Sequence, residues 1–283
     1  MSCLLRWGDK KFHVKQLLKK DRMVLSTKDY VASKEHFNLF LDNKTNIVWT
    51  EVAENHNHNK YYENENYLPH NKKKGVFSFF YMLSQNIMFS YKLKVLYKIL
   101  QPSSKILDYG SGDGHFAKFL KKKKINVQVY DPIINKSKTP QVTDNQYDVI
   151  MMWHVLEHLP DINETIITLE KKLKHNGALV VAVPNRDSFD SKAYRKHWAA
   201  WDVPRHLYHF NHTSLENLMK EKGFNLVSKY PLWLDSYYVS YLSSKYKKSI
   251  FPWINSLVIG SLSNILAIFT SKYSSSFYIF KKA

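Results

Sequence analysis

Three of the eight glycines in this 283-residue chain fall within five positions, in Ile106-Leu107-Asp108-Tyr109-Gly110-Ser111-Gly112-Asp113-Gly114. Glycine at alternate positions lets a backbone turn sharply and approach a ligand with no side chain in the way. A nicotinamide-dinucleotide loop would read G-x-G-x-x-G. Counted from Gly110, the last of those positions is His115, so that pattern fails. A phosphate loop would close on G-K-S or G-K-T, and none follows. Further on, Val127-Gln128-Val129-Tyr130 ends in Asp131. A carboxylate at that place can accept hydrogen bonds from both hydroxyls of a ribose.

Histidines form the second group. His154, Glu157 and His158 read H-x-x-E-H, which also describes an inverted zinc-peptidase motif. Peptidase chemistry needs both histidines on one helix face and a third ligand. His154 directly follows an apolar run, so it is expected in a loop; that reading is set aside, and no metal site is expected. His206 and His209 lie beside Trp201, Asp202 and Arg205 in the segment Trp198 to Asn211. This segment is either a packed connector over a sheet edge or one wall of a substrate site. His158 and His206 are the candidate proton acceptors, because imidazole titrates close to neutrality.

The elements that must position these residues alternate regularly. Lys105–Tyr109, Asn126–Tyr130, Tyr147–Trp153, Ala178–Val183 and Phe224–Lys229 read as strands, the third of them a continuous apolar run but for Asp148 and suited to a buried parallel sheet. Helices are expected at Gly114–Lys122, Asp161–Lys174 (closed by Asn176-Gly177) and Ser214–Lys222. Such alternation implies an open α/β sheet with helices on both faces and ligands beyond the strand carboxyl ends. Before it, residues 76–100 carry the helical stripes Phe89, Leu93, Leu96, Leu100 and Phe79, Leu83, Ile87, expected to form lid or cap helices. Residues 1–75 form a polar, irregular extension with the Asn55–Asn59 tract as a loop and short strands at Phe37–Leu41 and Ile47–Thr50. The core spans 101–230, and 231–283 supplies a helical insert and a final edge strand at Phe277–Phe280.

The D-x-G-x-G-x-G spacing from Asp108 resembles the first motif of class I S-adenosylmethionine-dependent methyltransferases. Val155-Leu156-Glu157-His158 after an apolar strand is similar to the group related to quinone-biosynthesis O-methyltransferases. The similarity continues through Gly177–Asn185 and Pro204-Arg205-His206-Leu207-Tyr208-His209-Phe210. It implies a Rossmann-like seven-stranded sheet, here with a reduced third-strand region between Asp131 and Tyr147. It also implies that Asp108, Tyr109, Gly110, Ser111, Gly112 and Gly114 hold S-adenosyl-L-methionine, with Asp131 at the ribose and Trp153 and His154 lining the cleft. The acidic residue that often marks the adenine has only Asp144 as a counterpart. The cysteines of the zinc module found in some relatives are missing.

Composition bounds the rest. Hydrophobic residues make up 44% of the chain, enough for a sizeable core rather than disorder. Cys3 is the only cysteine, which excludes an intrachain disulfide framework and a cysteine-rich zinc site and fits a cytoplasmic protein. Arg6, Asp9, Lys10 and Lys11 interrupt any signal-peptide stretch. The net charge of +18 suits an anionic partner or a merely lysine-rich surface. Uncharged Ser249–Ser271 is long enough for a membrane span. However, Val258, Leu262, Ile265, Leu266 and Phe269 fall on one side, and Ser256, Gly260, Ser263, Asn264 and Ala267 on the other. That pattern favours an amphipathic helix packed on the domain or lying on a membrane. The leading expectation is O-methylation of a small-molecule or lipid-linked acceptor. Alternatives are an RNA or protein methyltransferase, with nucleic acid not favoured, and a non-catalytic cofactor-binding scaffold.

Overall fold

The computed structural model describes residues 22–53, 61, 76–131 and 144–282, with backbone alone over 76–83. The Asn55–Asn59 tract, the reduced third-strand region at 132–143 and the Phe79 and Leu83 side chains lie outside the described residues. In chain order the elements are β1 (Arg22–Lys28), β2 (His36–Asp42), β3 (Ile47–Thr50), α1 (Val76–Leu96), β4 (Lys105–Tyr109), α2 (His115–Lys122), β5 (Asn126–Tyr130) and β6 (Tyr147–Trp153). They continue with α3 (Ile162–Lys172), β7 (Leu173–Pro184), α4 (Phe189–Tyr194), β8 (Tyr208–His209), α5 (His212–Glu221), β9 (Phe224–Pro231), α6 (Asp235–Tyr246), α7 (Pro252–Thr270) and β10 (Ser275–Lys282).

The main sheet runs β5-β4-β6-β7-β10-β9. Its first four strands are mutually parallel, and β10 is antiparallel to both β7 and β9. This is the expected α/β sheet, with six strands among the described residues in place of seven. Strand alternation divides the core into two faces. Ile106, Val149, Met151 and Val180 meet Leu93 and Leu96 of α1 and Phe116 and Leu120 of α2. Leu107, Ile150, Met152 and Val181 meet Ile166 and Leu169 of α3 and Leu215 and Met219 of α5. Asp161 caps α3 by accepting the Glu164 N–H at 2.8 Å, which satisfies one of the helix's unpaired donors.

Three expectations change. Phe277–Phe280 is not an edge strand: β10 lies between β7 and β9, and both Phe277 and Phe280 are buried, so β9 takes the edge. The N-terminal extension is more regular than expected: its two expected short strands appear as β2 and β3, and β1 and β8 join them in a separate antiparallel sheet. Finally, α3 stops at Lys172, since Leu173 already pairs with Tyr147 and is buried in the core.

The helical insert packs the opposite way from an ordinary amphipathic helix. The small residues Ser256, Gly260, Ser263 and Ala267 form the buried face of α7. A Cβ at Gly260 would lie 2.7 Å from the Tyr237 ring, so α6 and α7 approach closely there. Leu257, Ile265, Ile268 and Phe269 point outward.

Candidate functional site

β4 is flanked by β5 on one side and β6 on the other, so the connections leaving β4 and β5 run in opposite directions across the sheet. A crevice opens at the carboxyl ends of strands at such a switch point. The glycine loop lies there. Gly110, Gly112 and Gly114 all take left-handed φ values of 75°, 53° and 68°. The N–H groups of Gly110 and Ser111 both donate to Tyr130 O, at 2.7 and 3.2 Å, tying the loop to the end of β5. A Cβ on Gly110 would stand 2.5 Å from a Val155 methyl, so the turn passes beneath the segment after β6 only because glycine is present. At Gly112 nothing would meet a Cβ within 4 Å, so the loop is open on that side.

Asp131 follows β5 and is 7% exposed; its Oδ2 accepts the Gly112 N–H at 2.8 Å. The carboxylate therefore faces the loop, as a ribose-binding acid must. Asp108 and Tyr109 point to opposite faces by strand alternation. Tyr109 packs its ring 5.2 Å from Tyr130 inside the core, so only its backbone belongs to the loop. Asp108 is 3% exposed, and burial, with the nearby Asp131 charge adding, pushes its carboxyl up to about 7 against the pull of Lys92. Lys92 places its ammonium 4.0 Å from the centre of the Trp153 ring, and burial pushes it down to about 8. Trp153 is thus turned toward α1 and α2, edge-on to Phe116 at 5.5 Å.

His154 follows β6 with φ 55°. Its Nδ1 lies 3.2 Å from Glu157 Oε1 and its Nε2 3.2 Å from Asp235 Oδ2. Burial alone would depress it, but those two hydrogen bonds and charges raise it to about 9, so it is a cation at neutral pH. Asp235 opens α6, so this contact ties the helical insert to the end of β6. Lys92 and Asp235 were not singled out from sequence, and Glu157 only as part of the H-x-x-E-H spacing. Lys92 left a signal: it shares a helix face with Met88, Val95 and Leu96, which are buried.

His158 and His206 come together, their rings 4.5 Å apart and nearly perpendicular. His206 is positioned by its neighbour Arg205, which is 0% exposed and pairs with Asp29 at 3.0 Å and with Asp202 at 2.6 Å. Breaking such a buried pair costs about 3–5 kcal/mol. Burial and His206 push His158 down to about 4. It is neutral at pH 7, but a weaker base than the near-neutral acceptor expected from sequence. His209 is fully enclosed, sharing the Thr50 hydroxyl at 2.9 Å, so the connector reading holds for that residue.

These features fit a sulfonium nucleoside. An open backbone surface at Gly112 has one carboxylate at its rim, and a second, buried carboxylate lies one strand-end residue before the turn. The Methyltransferase domain family matches residues 84–229, just over half of the chain. No curated protein sequence matches significantly. Among solved structures, a SAM-dependent methyltransferase of Archaeoglobus fulgidus is 18% identical, with 74% of this chain and 100% of that chain covered and a TM-score of 0.45. A Thermotoga maritima protein described as a possible histamine N-methyltransferase is 16% identical, with coverages of 72% and 93% and a TM-score of 0.44. A Haemonchus contortus phosphoethanolamine N-methyltransferase in complex with S-adenosyl-L-methionine is 14% identical, with coverages of 68% and 52% and a TM-score of 0.45. From the family match and from a glycine loop closed by Asp131, the chain belongs to the methyltransferase-domain family, and it is an S-adenosylmethionine-dependent methyltransferase.

Proposed function

We propose that this methyltransferase acts on a hydroxyl of a small-molecule or lipid-linked acceptor that it meets at an anionic membrane surface, in the manner of the quinone-biosynthesis O-methyltransferase group. The observation that carries this reading is the outward face of α7. Leu257 is 64% exposed and Phe269 82%, while Lys245, Lys247 and Lys248 before the helix and Lys272 after it are exposed as well. An apolar helix face bounded by cations suits the interfacial plane of an anionic bilayer. The helix Pro252–Thr270 is long and apolar enough to cross a membrane, with mean hydropathy 1.5. Yet α6 leads into it from β9 and β10 follows it, so both ends of the hairpin return to one sheet. A helix lying in the surface accommodates that connectivity. Through His154 and Asp235 the same hairpin reaches the cleft, which brings a membrane-borne acceptor toward the donor.

S-adenosylmethionine supplies an electrophilic methyl group on sulfur. The chain's contribution is alignment and exclusion of water, and effective alignment lowers a barrier by roughly 7–11 kcal/mol. In this reading Gly110, Gly112 and Asp131 hold the nucleoside, Asp108 faces its positive end, and His206 accepts the hydroxyl proton.

Vesicle flotation tests the surface. The double variant Leu257→Glu, Phe269→Glu should lose binding to anionic vesicles by about tenfold or more, since each exposed apolar side chain contributes roughly 1.5–3 kcal/mol when buried. Donor binding should be unaltered. Equal flotation of the variant and the parent, or methyl transfer confined to water-soluble extracts, would remove the membrane reading.

Donor affinity should also depend on pH. Asp108, raised to about 7, is largely protonated at pH 6 and ionised at pH 8, so attraction for a cationic donor is present above pH 7 and lost below it. Lys92, lowered to about 8, has lost about half of its repelling charge by pH 8 and acts in the same sense. Affinity should rise about tenfold from pH 6 to 8, the change in ionised fraction of one such group. Asp108→Asn should keep only the smaller part contributed by Lys92; an unchanged slope in that variant counts against the assignment.

A further inference from the structure

The cluster beside the cleft contains a feature that methyl-donor binding does not use. Glu157 is 1% exposed and ionised: burial would raise its carboxyl, but the hydrogen bond and charge of His154 outweigh that and hold it low. Its Oε1 is engaged by His154, while Oε2 is buried with no hydrogen-bond partner. A buried carboxylate oxygen left in this way is costly unless something positive meets it.

Two imidazoles face the same spot. His206 Nδ1 lies 2.9 Å from Ala200 O, and His158 Nδ1 lies 3.1 Å from Arg205 O. A carbonyl only accepts, so each Nδ1 carries a proton, and in the singly protonated ring the lone pair lies on Nε2. Orientation of a ring through Nδ1–H to a main-chain carbonyl is the arrangement that holds a histidine as a metal ligand. Donor atoms of Glu157, His158 and His206 all lie within 4.8 Å of one another. Ligands of a tetrahedral ion bound at about 2.0–2.1 Å stand roughly 3.4 Å apart, so closing the site needs side-chain movements of about 1 Å.

We infer that Glu157, His158 and His206 form a binding site for a divalent transition-metal ion of the zinc class. Two neutral nitrogens and one carboxylate oxygen suit Zn²⁺ or Co²⁺ better than Mg²⁺, which prefers oxygen ligands. This departs from the sequence expectation that no metal site is present. The ligands come from the turn after β6 and from the connector before β8, which are far apart in the chain. With three protein ligands a fourth position is open, as in catalytic sites. A hydroxyl bound at that position would release its proton to solvent more readily. With the ion bound this replaces proton acceptance by His206, whose only lone pair is then engaged; this use rests on the hydroxyl-acceptor reading, whereas the site itself does not.

The test needs neither donor nor acceptor. Protein without an affinity tag is stripped with a chelator, dialysed, and titrated with Zn²⁺ by calorimetry and with Co²⁺ by visible absorption. One equivalent should bind at micromolar or lower concentration, with Co²⁺ giving the absorption of a low-coordinate nitrogen and oxygen site. Glu157→Gln and His206→Ala should each weaken binding about 10–100-fold or more, the scale on which even outer-shell changes act. His175→Ala, at an exposed position in β7, should leave binding intact. Circular dichroism identifies a variant that fails to fold, and His158→Asn then takes its place. Absence of stoichiometric binding, or binding that persists in both ligand variants, overturns the site. Metal binding in a protein that fails to transfer methyl to any hydroxyl would refute the acceptor reading alone.

Discussion

Gly110→Val should abolish measurable donor binding and lower stability by several kcal/mol. The two effects have separate sources. A left-handed φ of 75° costs an ordinary residue about 1–2 kcal/mol. The new side chain also meets the Val155 methyls, with Cβ itself only 2.5 and 2.7 Å from them, and overpacking of this kind costs about 1–3 kcal/mol more. The segment after β6 must move away, and His154 and Glu157 move with it. Gly112→Ala is the informative companion. Its φ is also positive, but its Cβ would meet nothing within 4 Å, so the protein should remain folded with a loss of about 1–2 kcal/mol. If the nucleoside rests on that open backbone, the added methyl group occupies its place, and affinity should fall about tenfold or more although the fold persists. Thermal melting and donor titration on both variants separate the outcomes. A Gly112→Ala protein that binds donor as the parent does would place the ligand elsewhere.

Asp131→Ala should weaken donor binding about 100-fold, with a smaller loss of stability. In the parent, Asp131 Oδ2 accepts the Gly112 N–H at 2.8 Å. Removing it leaves the part-buried Gly112 N–H without its acceptor, at up to about 1–3 kcal/mol, and the loop loses one of the contacts that hold it against β5. The sugar hydroxyls lose an ionised acceptor as well, worth about 1.5–3 kcal/mol. Asp131→Asn keeps an oxygen for Gly112 but not the charge, so it should be intermediate in affinity and close to the parent in melting temperature. An Asn variant as weak as Ala would mean that charge, rather than loop geometry, dominates; an Ala variant with parental affinity would remove Asp131 from the site.

How much of this was legible in sequence follows from what each signal measures. The strands β4, β5 and β6 were readable because apolar runs bounded by turn residues are local, and β4 to β6 begin and end where the pattern places them. The glycine loop and Asp131 were readable because their residue types are forced by backbone geometry. Strand order is not local, so the placement of β10 inside the sheet was hidden. β1 was missed because its first three residues are exposed and no alternation marks them. In α7 the periodicity located the helix and its two faces but could not say which face would be covered. The small residues allow α6 to approach closely, and the apolar side remains outward. The meeting of Glu157 and His158 with His206 depends on the buried Arg205 pairs, which join the connector to Asp29 near the other end of the chain. Nothing in the spacing of those residues reports it.

The central claim is that the backbone between β4 and α2, with Asp131 beside it, holds S-adenosylmethionine. Calorimetric titration of the unsubstituted 283-residue chain with that compound addresses it most directly. One molecule per chain should bind, with saturation reached below millimolar donor. No detectable heat at millimolar donor, from protein whose melting curve shows that it is folded, would contradict it.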